Sequence, residues 1–393
     1  MTGRDALALY GGEKITNAPF PPWPQFAERT FSDVLEPLRT GRVASWSGTR
    51  VAAFEAGWAA WCGARHAVAC SSGTAALHLA LRALGVGPGH EVIVPARTFA
   101  STALAVLNAG ASPVFCDCGD DQVLDPRSVE AAVSGKTRAL IAVHLLGIVC
   151  DMDALLDVAR RHSLVVIEDC AQCVGGEHRG RMAGTLGAAG CFSFSQGKHV
   201  CCGGEGGMVV TDNAETAAVC RCMRDYGRDQ EAAGDRPHVR EGFNYRLTEM
   251  QAIVGQNELD RLDGWNLARR CGFARVYDHA LSHVAGIRAL PLNTPERRNA
   301  WWKYPVQLDL DRLTCDAATF QQALSAEGIP DGGARWPAVY DEPVFAACRR
   351  TPCPTAEALR RRTVTLLLPP TWEKQHVETC ASAVKKALHA FRR

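Results

Sequence analysis

The sequence has no long hydrophobic run. Its apolar stretches, such as Ala103–Leu107, are far shorter than the roughly 20 residues that a membrane-spanning helix needs. The first residues lack a basic start, an apolar segment and a small-residue cleavage site, so we expect a cytoplasmic protein without a secretion signal. The formal net charge is only +1, with Lys and Arg scattered along the chain, which predicts neither nucleic-acid nor membrane-surface binding.

The chain also lacks the motifs of nucleotide-binding enzymes. No Gly-x-Gly-x-x-Gly follows the first expected strand, so the main signature of dinucleotide binding is missing. Ser134-Gly-Lys-Thr137 resembles the end of a phosphate-binding P-loop. However, Glu130 stands where that motif has its first glycine, and a helical pattern precedes it instead of a strand.

Cysteine, in contrast, is abundant, with 17 residues. Many of these cysteines lie in apolar or small-residue runs, where a reduced thiol packs like a small hydrophobic side chain. Cys170-Ala-Gln-Cys173 has the CxxC spacing of redox and zinc sites, but no second CxxC or His pair lies nearby. We therefore favour a structural role for the cysteines and expect no metal site.

Short β-rich runs alternate with helical patterns between residues 65 and 212. This alternation predicts an α/β fold with a mostly parallel, seven-stranded sheet flanked by helices. The expected strands are His66–Cys70, Glu91–Pro95, Ser112–Cys116, Arg138–Val143, Leu164–Glu168, Gly190–Phe194 and Gly207–Thr211. The expected helices are Thr74–Ala83, Phe99–Ala109, Pro126–Ala132, Asp153–His162 and Ala214–Asp225, with a longer one from Thr248.

The length of 393 residues exceeds the roughly 250–300 residues at which a single core stops growing. We therefore expect two domains, a large one over residues 1–270 that includes the N-terminal segment and a smaller C-terminal α/β domain over residues 271–393. Ligands of parallel sheets bind at the carboxyl ends of the strands. Three strand ends carry candidate functional residues.

The first is the segment Ser71-Ser-Gly73-Thr74-Ala75, which follows the first strand and opens a helix. Free backbone N–H groups and the dipole at a helix N-terminus favour anions, and Thr74 adds a hydroxyl group. Ser and Thr are also common helix caps. From these residues alone, capping and phosphate binding remain equal alternatives.

The second is Glu168-Asp169-Cys-Ala-Gln172 at the end of a buried strand. A carboxylate placed here could keep a pyridine nitrogen protonated, which makes such a ring an electron sink, and Gln172 could bond a ring oxygen. Asp169 could equally be a helix cap. Both alternatives remain open at this point.

The third and most specific is Lys198, which follows a strand and precedes a glycine-rich turn containing Glu205. The chain has only seven Lys against 36 Arg, so positive charge is usually supplied by Arg. A Lys in such a turn indicates a need for an amine, because Arg cannot be deprotonated and cannot form an imine. Lys198 is therefore the candidate Schiff-base residue.

Taken together, these segments resemble the DegT-type sugar and cyclitol aminotransferases, a branch of the fold-type-I pyridoxal-phosphate (PLP) enzymes of the aspartate aminotransferase superfamily. The resemblance runs over nearly the whole chain. The segments that carry it are Ser72–Leu77, Pro95–Phe99, Val143–Leu145, Asp151–Asp153, Glu168–Gln172, Phe192–Lys198, Gly204–Gly207, Gly242–Leu247, Gly328–Ile329 and Leu368–Pro369.

The resemblance implies roles for four residues around the ring of the cofactor. Lys198 would form the Schiff base with PLP and later move the proton between substrate and cofactor carbons. Asp169 would pair with the pyridinium nitrogen, and Gln172 would contact the phenolic oxygen. Phe99 would stack on the ring, as aromatic side chains do on flat π systems.

It also implies a phosphate site made of Gly73, Thr74 and Ser193. Asn244 would reach the phosphate of the neighbouring subunit, which implies a homodimer with shared active sites. On the residues alone, Asn244 could equally form an Asx turn before the helix that starts near Thr248.

The expected reaction is transfer of an amino group from glutamate or glutamine to a ketone on a sugar or cyclitol, in small-molecule biosynthesis such as that of an antibiotic. Pro21–Phe26 resembles the inosose aminotransferases and amino-hydroxybenzoate synthases more than the nucleotide-sugar members. Two alternatives remain, because a fold does not fix the chemistry. These are another PLP reaction, such as dehydration or condensation, and a non-catalytic PLP-binding regulator.

Overall fold

The computed structural model describes residues 3–230, 232, 236–288, 290, 294–333 and 338–393. Its strands are numbered here in chain order. They are β1 (His66–Cys70), β2 (Glu91–Pro95), β3 (Ser112–Cys116), β4 (Thr137–Val143), β5 (Val165–Asp169), β6 (Glu177–His178), β7 (Arg181–Met182), β8 (Ala189–Ser193), β9 (Gly207–Thr211), β10 (Ile287–Arg288), β11 (Arg297–Arg298), β12 (Tyr304–Leu308), β13 (Arg349–Arg350) and β14 (Thr363–Leu366).

All seven expected strands pair in one sheet, with the order β1-β9-β8-β5-β4-β2-β3-β13. Strand β9 runs antiparallel to both of its neighbours, and the other pairs are parallel. Four strands have the expected bounds, and the other three differ by one residue. The sheet has eight strands instead of the expected seven, because Arg349–Arg350 adds an edge strand beside β3. Two exposed arginines carry no β-branched or alternating pattern that could have predicted it.

Helices cover both faces of the sheet. They are α1 (Glu28–Asp33), α2 (Leu35–Thr40), α3 (Arg50–Cys62), α4 (Gly73–Ala83), α5 (Ser101–Asn108), α6 (Pro126–Ala132), α7 (Met152–Arg161), α8 (Ala214–Arg224), α9 (Glu249–Leu259), α10 (Ala268–Leu281), α11 (Ala317–Ala326), α12 (Pro354–Arg362) and α13 (Lys374–Ala390). In β1, Val68 and Cys70 belong to one apolar cluster, whereas Ala67 and Ala69 belong to another that includes Phe54 of α3. Because successive side chains of a strand point to opposite faces, both faces are buried.

Local sequence explains where several helices begin. The side chain of Asp125 accepts a hydrogen bond from the N–H of Arg127 at 2.9 Å, and Pro126 occupies the first turn of α6, as expected. Thr248 and Gln251 form a reciprocal capping box at the start of α9. Among the described residues, none of the helices is both long and apolar enough to cross a membrane.

The C-terminal part contains a second sheet, an antiparallel one with the order β10-β12-β14. Helices α11 and α13 pack together, and α11 lies against β14. The predicted domain boundary at residues 270–271 falls inside α10. The division into two domains therefore stays a prediction.

Candidate active site

A cleft with a cavity volume of about 260 Å³ lies where β1, β5 and β8 end. It brings together seven of the eight residues that the sequence singled out. They are Gly73, Thr74, Phe99, Asp169, Gln172, Ser193 and Lys198. Segments more than 100 positions apart in the chain thus form one site, as expected for the carboxyl edge of a parallel sheet.

The floor of the cleft is the start of α4. The side chain of Ser72 caps this helix by accepting a hydrogen bond from the N–H of Ala75 at 3.1 Å. Within the described chain, no group accepts a hydrogen bond from the N–H of Gly73 or Thr74. A Cβ atom at position 73 would lie 2.7 Å from Cβ of Ser193, so this approach requires glycine. Capping by Ser72 therefore leaves the N–H groups of Gly73 and Thr74 available, and phosphate binding by these residues stays a prediction.

Asp169 is the buried carboxylate of the cleft. Its Oδ2 accepts a hydrogen bond from the hydroxyl of Thr102 at 2.8 Å, and its Oδ1 accepts one from the N–H of Ala171 at 3.1 Å. Thr102 is also hydrogen-bonded to Thr98 at 2.8 Å. Burial raises the pKa of Asp169. A turn follows Asp169 instead of a helix, so the helix-cap alternative is wrong.

Gln172 is held by its oxygen. Its Oε1 accepts a hydrogen bond from the N–H of Leu146 at 2.9 Å, and the residue is 4% exposed. Leu146 has a φ of 59°, a left-handed conformation that non-glycine residues rarely adopt. The hydrogen bond that the side chain of Gln172 makes to the described residues is through Oε1, so its amide nitrogen is available as a donor in the cleft.

Lys198 lies in the loop between β8 and β9. Burial lowers the pKa of its amine to about 8, against the opposing effect of the carboxylates of Asp169 and Glu205. The Nζ atom is 4.6 Å from the ring centroid of Trp302. A lowered pKa leaves a larger fraction of the amine unprotonated near neutral pH, which is the nucleophilic form.

Two tryptophans that the sequence analysis did not assign hold the backbone at this lysine. Nε1 of Trp302 donates to the carbonyl of Gly197 at 2.6 Å, and Nε1 of Trp23 donates to the carbonyl of Lys198 at 3.0 Å. Trp23 comes from the N-terminal segment and Trp302 from just before β12. Trp23 lies in Pro21–Phe26, a segment noted above only for its resemblance, and tryptophan is rare in the chain, with nine residues. Thr102 was also missed, because a single Thr inside an apolar helix is typical of a residue in the hydrophobic core.

Two of the expected residues are exposed on the single chain. Phe99 lines the cleft but is 53% exposed. Asn244 is also exposed, forms an isolated antiparallel bridge with Asp225 and does not line the cleft. The structure therefore does not bring Asn244 to the site of its own chain.

Beneath the cleft, His144, Glu168 and Cys170 have side-chain atoms within 4.8 Å of one another. Nδ1 of His144 accepts a hydrogen bond from the N–H of Cys150 at 3.1 Å, so Nε2 carries the proton and donates to Glu168 at 3.0 Å. Glu168 also accepts three backbone N–H bonds, from Gly184, Leu186 and Gly187. Polar atoms of His144 and Glu168 thus have hydrogen-bond partners within the protein. We therefore interpret these residues as a structural group that stabilises the end of β5.

Comparison with known proteins identifies the family of the chain. The sequence model of the DegT/DnrJ/EryC1/StrS aminotransferase family matches residues 24–385. The dTDP-3-amino-3,4,6-trideoxy-alpha-D-glucose transaminase of Streptomyces venezuelae is 40% identical over 344 residues, covering 86% of this chain and 87% of the relative. The L-glutamine:scyllo-inosose aminotransferase of Streptomyces griseus is 38% identical over 339 residues, covering 82% and 79%.

Solved structures share the fold. The crystal structure of S. venezuelae DesV in complex with a ketimine intermediate superposes with a TM-score of 0.84 at 37% identity, covering 92% of this chain and 94% of that one. This likeness confirms the fold-type-I architecture expected from the sequence. The chain belongs to the DegT/DnrJ/EryC1/StrS aminotransferase family.

Proposed function

We propose that this protein is a PLP-dependent aminotransferase that moves an amino group from glutamate or glutamine to a ketone on a sugar or cyclitol. The proposal is carried by one observation, the placement of the Lys198 amine in the same cleft as a buried carboxylate and a helix N-terminus. The names of the two relatives, a dTDP-amino-sugar transaminase and an L-glutamine:scyllo-inosose aminotransferase, support the substrate class. The setting that we propose is small-molecule biosynthesis, such as that of an antibiotic.

The polar groups of the cleft fit PLP. The N–H groups of Gly73 and Thr74, with the hydroxyl of Ser193, form a cradle for a phosphate at the start of α4. Asp169 would lie at the ring nitrogen, and the free amide N–H of Gln172 would donate to the phenolic oxygen. When bound, PLP supplies an aldehyde for condensation with amines and a ring that accepts electrons from the substrate carbon.

Each of these residues would have a separate role in the reaction. The carboxylate of Asp169 would hold a proton on the ring nitrogen, and Thr102 keeps that carboxylate fixed through its 2.8 Å hydrogen bond. Lys198 would bind the cofactor and, once released by the amino substrate, carry a proton at Nζ. Trp302 and Trp23 bond the carbonyls of Gly197 and Lys198 and so hold the loop. The fixed loop would keep Nζ in the same position after Lys198 is released from the cofactor.

A second copy of the chain would complete the site. Several large apolar side chains are exposed on the single chain, among them Phe31 and Leu38 at 57% and Trp46 at 71%. Exposed apolar groups that lie together mark protein–protein interfaces, so we take these residues as support for an interface. Phe99 and Asn244 are exposed as well, so we propose a homodimer in which Asn244 reaches the phosphate bound by the partner.

A half-reaction separates this function from its alternatives. The yellow protein loaded with PLP should lose its absorbance when L-glutamate or L-glutamine is added, and a keto-sugar or keto-cyclitol should restore it. Loss of absorbance without restoration by a panel of ketones would favour another PLP reaction. A protein that binds PLP but does not respond to any amino acid would favour the regulator and contradict our proposal.

A further inference from the structure

Trp302 is fixed by hydrogen bonds on three sides. Its backbone N–H donates to the carbonyl of Leu146 at 2.9 Å, and its carbonyl accepts a hydrogen bond from Nη1 of Arg270 at 3.2 Å. Its indole Nε1 donates to the carbonyl of Gly197 at 2.6 Å, one residue before Lys198. The indole ring is therefore held in one orientation beside the Lys198 loop by the protein itself.

The face of this ring lies beside the reactive amine. The Nζ atom of Lys198 lies over the ring of Trp302, 4.6 Å from its centroid. An ammonium within about 6 Å of the centroid of a tryptophan ring is attracted by the electron-rich face, and a neutral amine lacks the charge for this attraction. The attraction grows where water is excluded, and Lys198 is half-buried in the cleft. The ring therefore favours the protonated form of Nζ.

Several charged or titratable groups surround the amine and the ring. They are Asp169, Glu205, His199, Arg270 and Lys303. Burial lowers the pKa of Lys198, and the carboxylates of Asp169 and Glu205 oppose this effect. Lys303 lies over the same ring as Lys198, 4.2 Å from the centroid. Burial, followed by the charge of Lys198, lowers the pKa of Lys303 to about 8. The two amines thus share one aromatic ring and disfavour each other's positive charge.

We propose that the indole face of Trp302 binds the ammonium form of Lys198, and that Trp302 is a positioning residue for proton transfer by this amine. The inference rests on the proposed aminotransferase function. In amino transfer, Nζ takes a proton from the substrate carbon, whose electron pair passes to the bound cofactor, and then gives the proton to the cofactor carbon. Between these two transfers Nζ carries a positive charge. An aromatic face stabilises this charge without adding a basic group that would compete for the proton.

Fluorinated tryptophan at position 302 separates the ring face from the hydrogen bond to Gly197. Fluorine withdraws electrons from the face and weakens its attraction for a cation, whereas the ring shape and the Nε1 donor are kept. Stopped-flow absorbance measures the rate of PLP capture by the apoprotein against pH, and the midpoint of this profile reports the protonation of Lys198. The midpoint should fall with each added fluorine, by roughly 0.5 to 1 pH unit for a tetrafluorinated ring, because the ammonium loses stabilisation.

Two substitutions give the same comparison with ordinary residues. Trp302→Phe and Trp302→Leu both remove the indole N–H, but only the first keeps an aromatic face. The midpoint of Trp302→Leu should therefore lie below that of Trp302→Phe. A loosened loop would instead admit water and move the midpoint upward, toward the usual value of lysine. Lys303→Gln should also raise the midpoint, because it removes a like charge from the ring that Lys198 uses.

Trp61 provides the matched control. Its Nε1 also donates a hydrogen bond, to the carboxylate of Asp263 at 3.1 Å, but it lies in α3 and lines a different cavity. Fluorinated tryptophan at position 61 should leave the midpoint unchanged. If the substitutions of Trp302 fail to fold by circular dichroism, the fluorinated proteins carry the test. A midpoint that does not respond to fluorination at position 302, or equal midpoints for Trp302→Phe and Trp302→Leu, would overturn the proposal.

Acetylation of Lys198 is a second readout that needs no cofactor. Acetic anhydride reacts with the neutral amine, so the extent of acetylation against pH, measured by mass spectrometry of the cofactor-free protein, should have the same midpoint and the same response to fluorination. A protein that does not capture PLP at Lys198 contradicts the proposed function, whereas acetylation still tests the cation site. Capture of PLP with a midpoint that ignores the ring contradicts the role of Trp302 alone.

Discussion

The loop at Lys198 and the segment at Asn244 differ in how many hydrogen bonds they make within their own chain and in how deeply they are buried there. The loop is held from several directions. Trp23 and Trp302 donate to the carbonyls of Lys198 and Gly197, and the N–H of Lys198 donates to the carbonyl of Ser195 at 2.9 Å. Asn244, in contrast, is exposed and meets its own chain through a single backbone bridge to Asp225.

This difference separates two kinds of site residue. Where one chain supplies the hydrogen bonds and the burial, the side chain is oriented before any ligand arrives, which is what proton transfer and electrostatic stabilisation require. An exposed polar side chain without a hydrogen-bond partner in its own chain becomes oriented only when it contacts another molecule, such as a partner subunit or its ligand. Substitutions at the Lys198 loop should therefore abolish activity of the site in the same chain. Substitutions at Asn244 should abolish activity of the site in the partner chain.

The largest effect is expected from Lys198→Arg. The substitution keeps a positive charge but removes the amine nucleophile, so turnover should fall by at least roughly four orders of magnitude. Steady-state assays of amino transfer measure this loss, and circular dichroism should show an intact fold. Activity within tenfold of the wild type would contradict the role of Lys198.

A chemical label tests the same residue independently. Borohydride reduction of the PLP-loaded protein should fix the cofactor to the peptide that contains Lys198, as identified by mass spectrometry. Lys303 is the natural internal control, since burial lowers its pKa to about 8 as well. Recovery of the label on Lys303 would move the Schiff-base site to the other side of Trp302.

Asp169→Asn should have the next largest effect. The amide keeps the shape but no longer favours a protonated ring nitrogen, so the rate should fall by roughly three orders of magnitude, at about 1.4 kcal/mol per tenfold. Thr102→Val removes only the hydroxyl that fixes Oδ2 and should cost about tenfold. Near-normal turnover of Asp169→Asn would leave the carboxylate with a purely structural role.

The fold could be predicted because its strands are buried on both faces, and Val92, Ile93 and Val94 of β2 show the continuous apolar pattern that this produces. The edge strand Arg349–Arg350 has no such pattern, and pairing alone defines it.

The site was predicted only in part, for a related reason. Residues at strand ends could be found because the position itself is informative. Trp23 and Trp302 contact the Lys198 loop from segments that are distant in sequence, and nothing local in their composition indicates where they meet. The resemblance to a known family supplied the role of Asn244, which its exposed position alone would not suggest.

The pH dependence of cofactor capture sharpens the account of the Lys198 loop. With a pKa lowered to about 8, the fraction of unprotonated amine rises as pH increases and levels off above that value. The rate at which apoprotein captures PLP should therefore increase roughly tenfold between pH 6 and 7, reach about half of its maximum near pH 8 and become flat above about pH 9, in stopped-flow absorbance. Glu205→Gln removes a carboxylate that raises this pKa, so the midpoint should move to lower pH. A profile that still rises at pH 10 would contradict the lowered pKa.

The smallest signal, and the one that bears directly on the Asn244 segment, comes from mixed dimers. Lys198→Ala and Asn244→Asp should each be inactive, the first for lack of an amine and the second because a carboxylate would repel the bound phosphate. If Asn244 serves the partner, a heterodimer of the two variants has one site with both lesions and one intact site.

Co-refolding equal amounts of the two variants should then restore about a quarter of the wild-type activity, since half of the dimers are mixed and each has one working site of two. Tags of different size on the two variants allow the heterodimer to be isolated and assayed by itself. The control is each variant refolded alone, which should stay inactive. Verified heterodimers without activity would show that Asn244 does not act across the interface, and it would then be a turn residue beside Asp225, within one chain like the rest of the cleft.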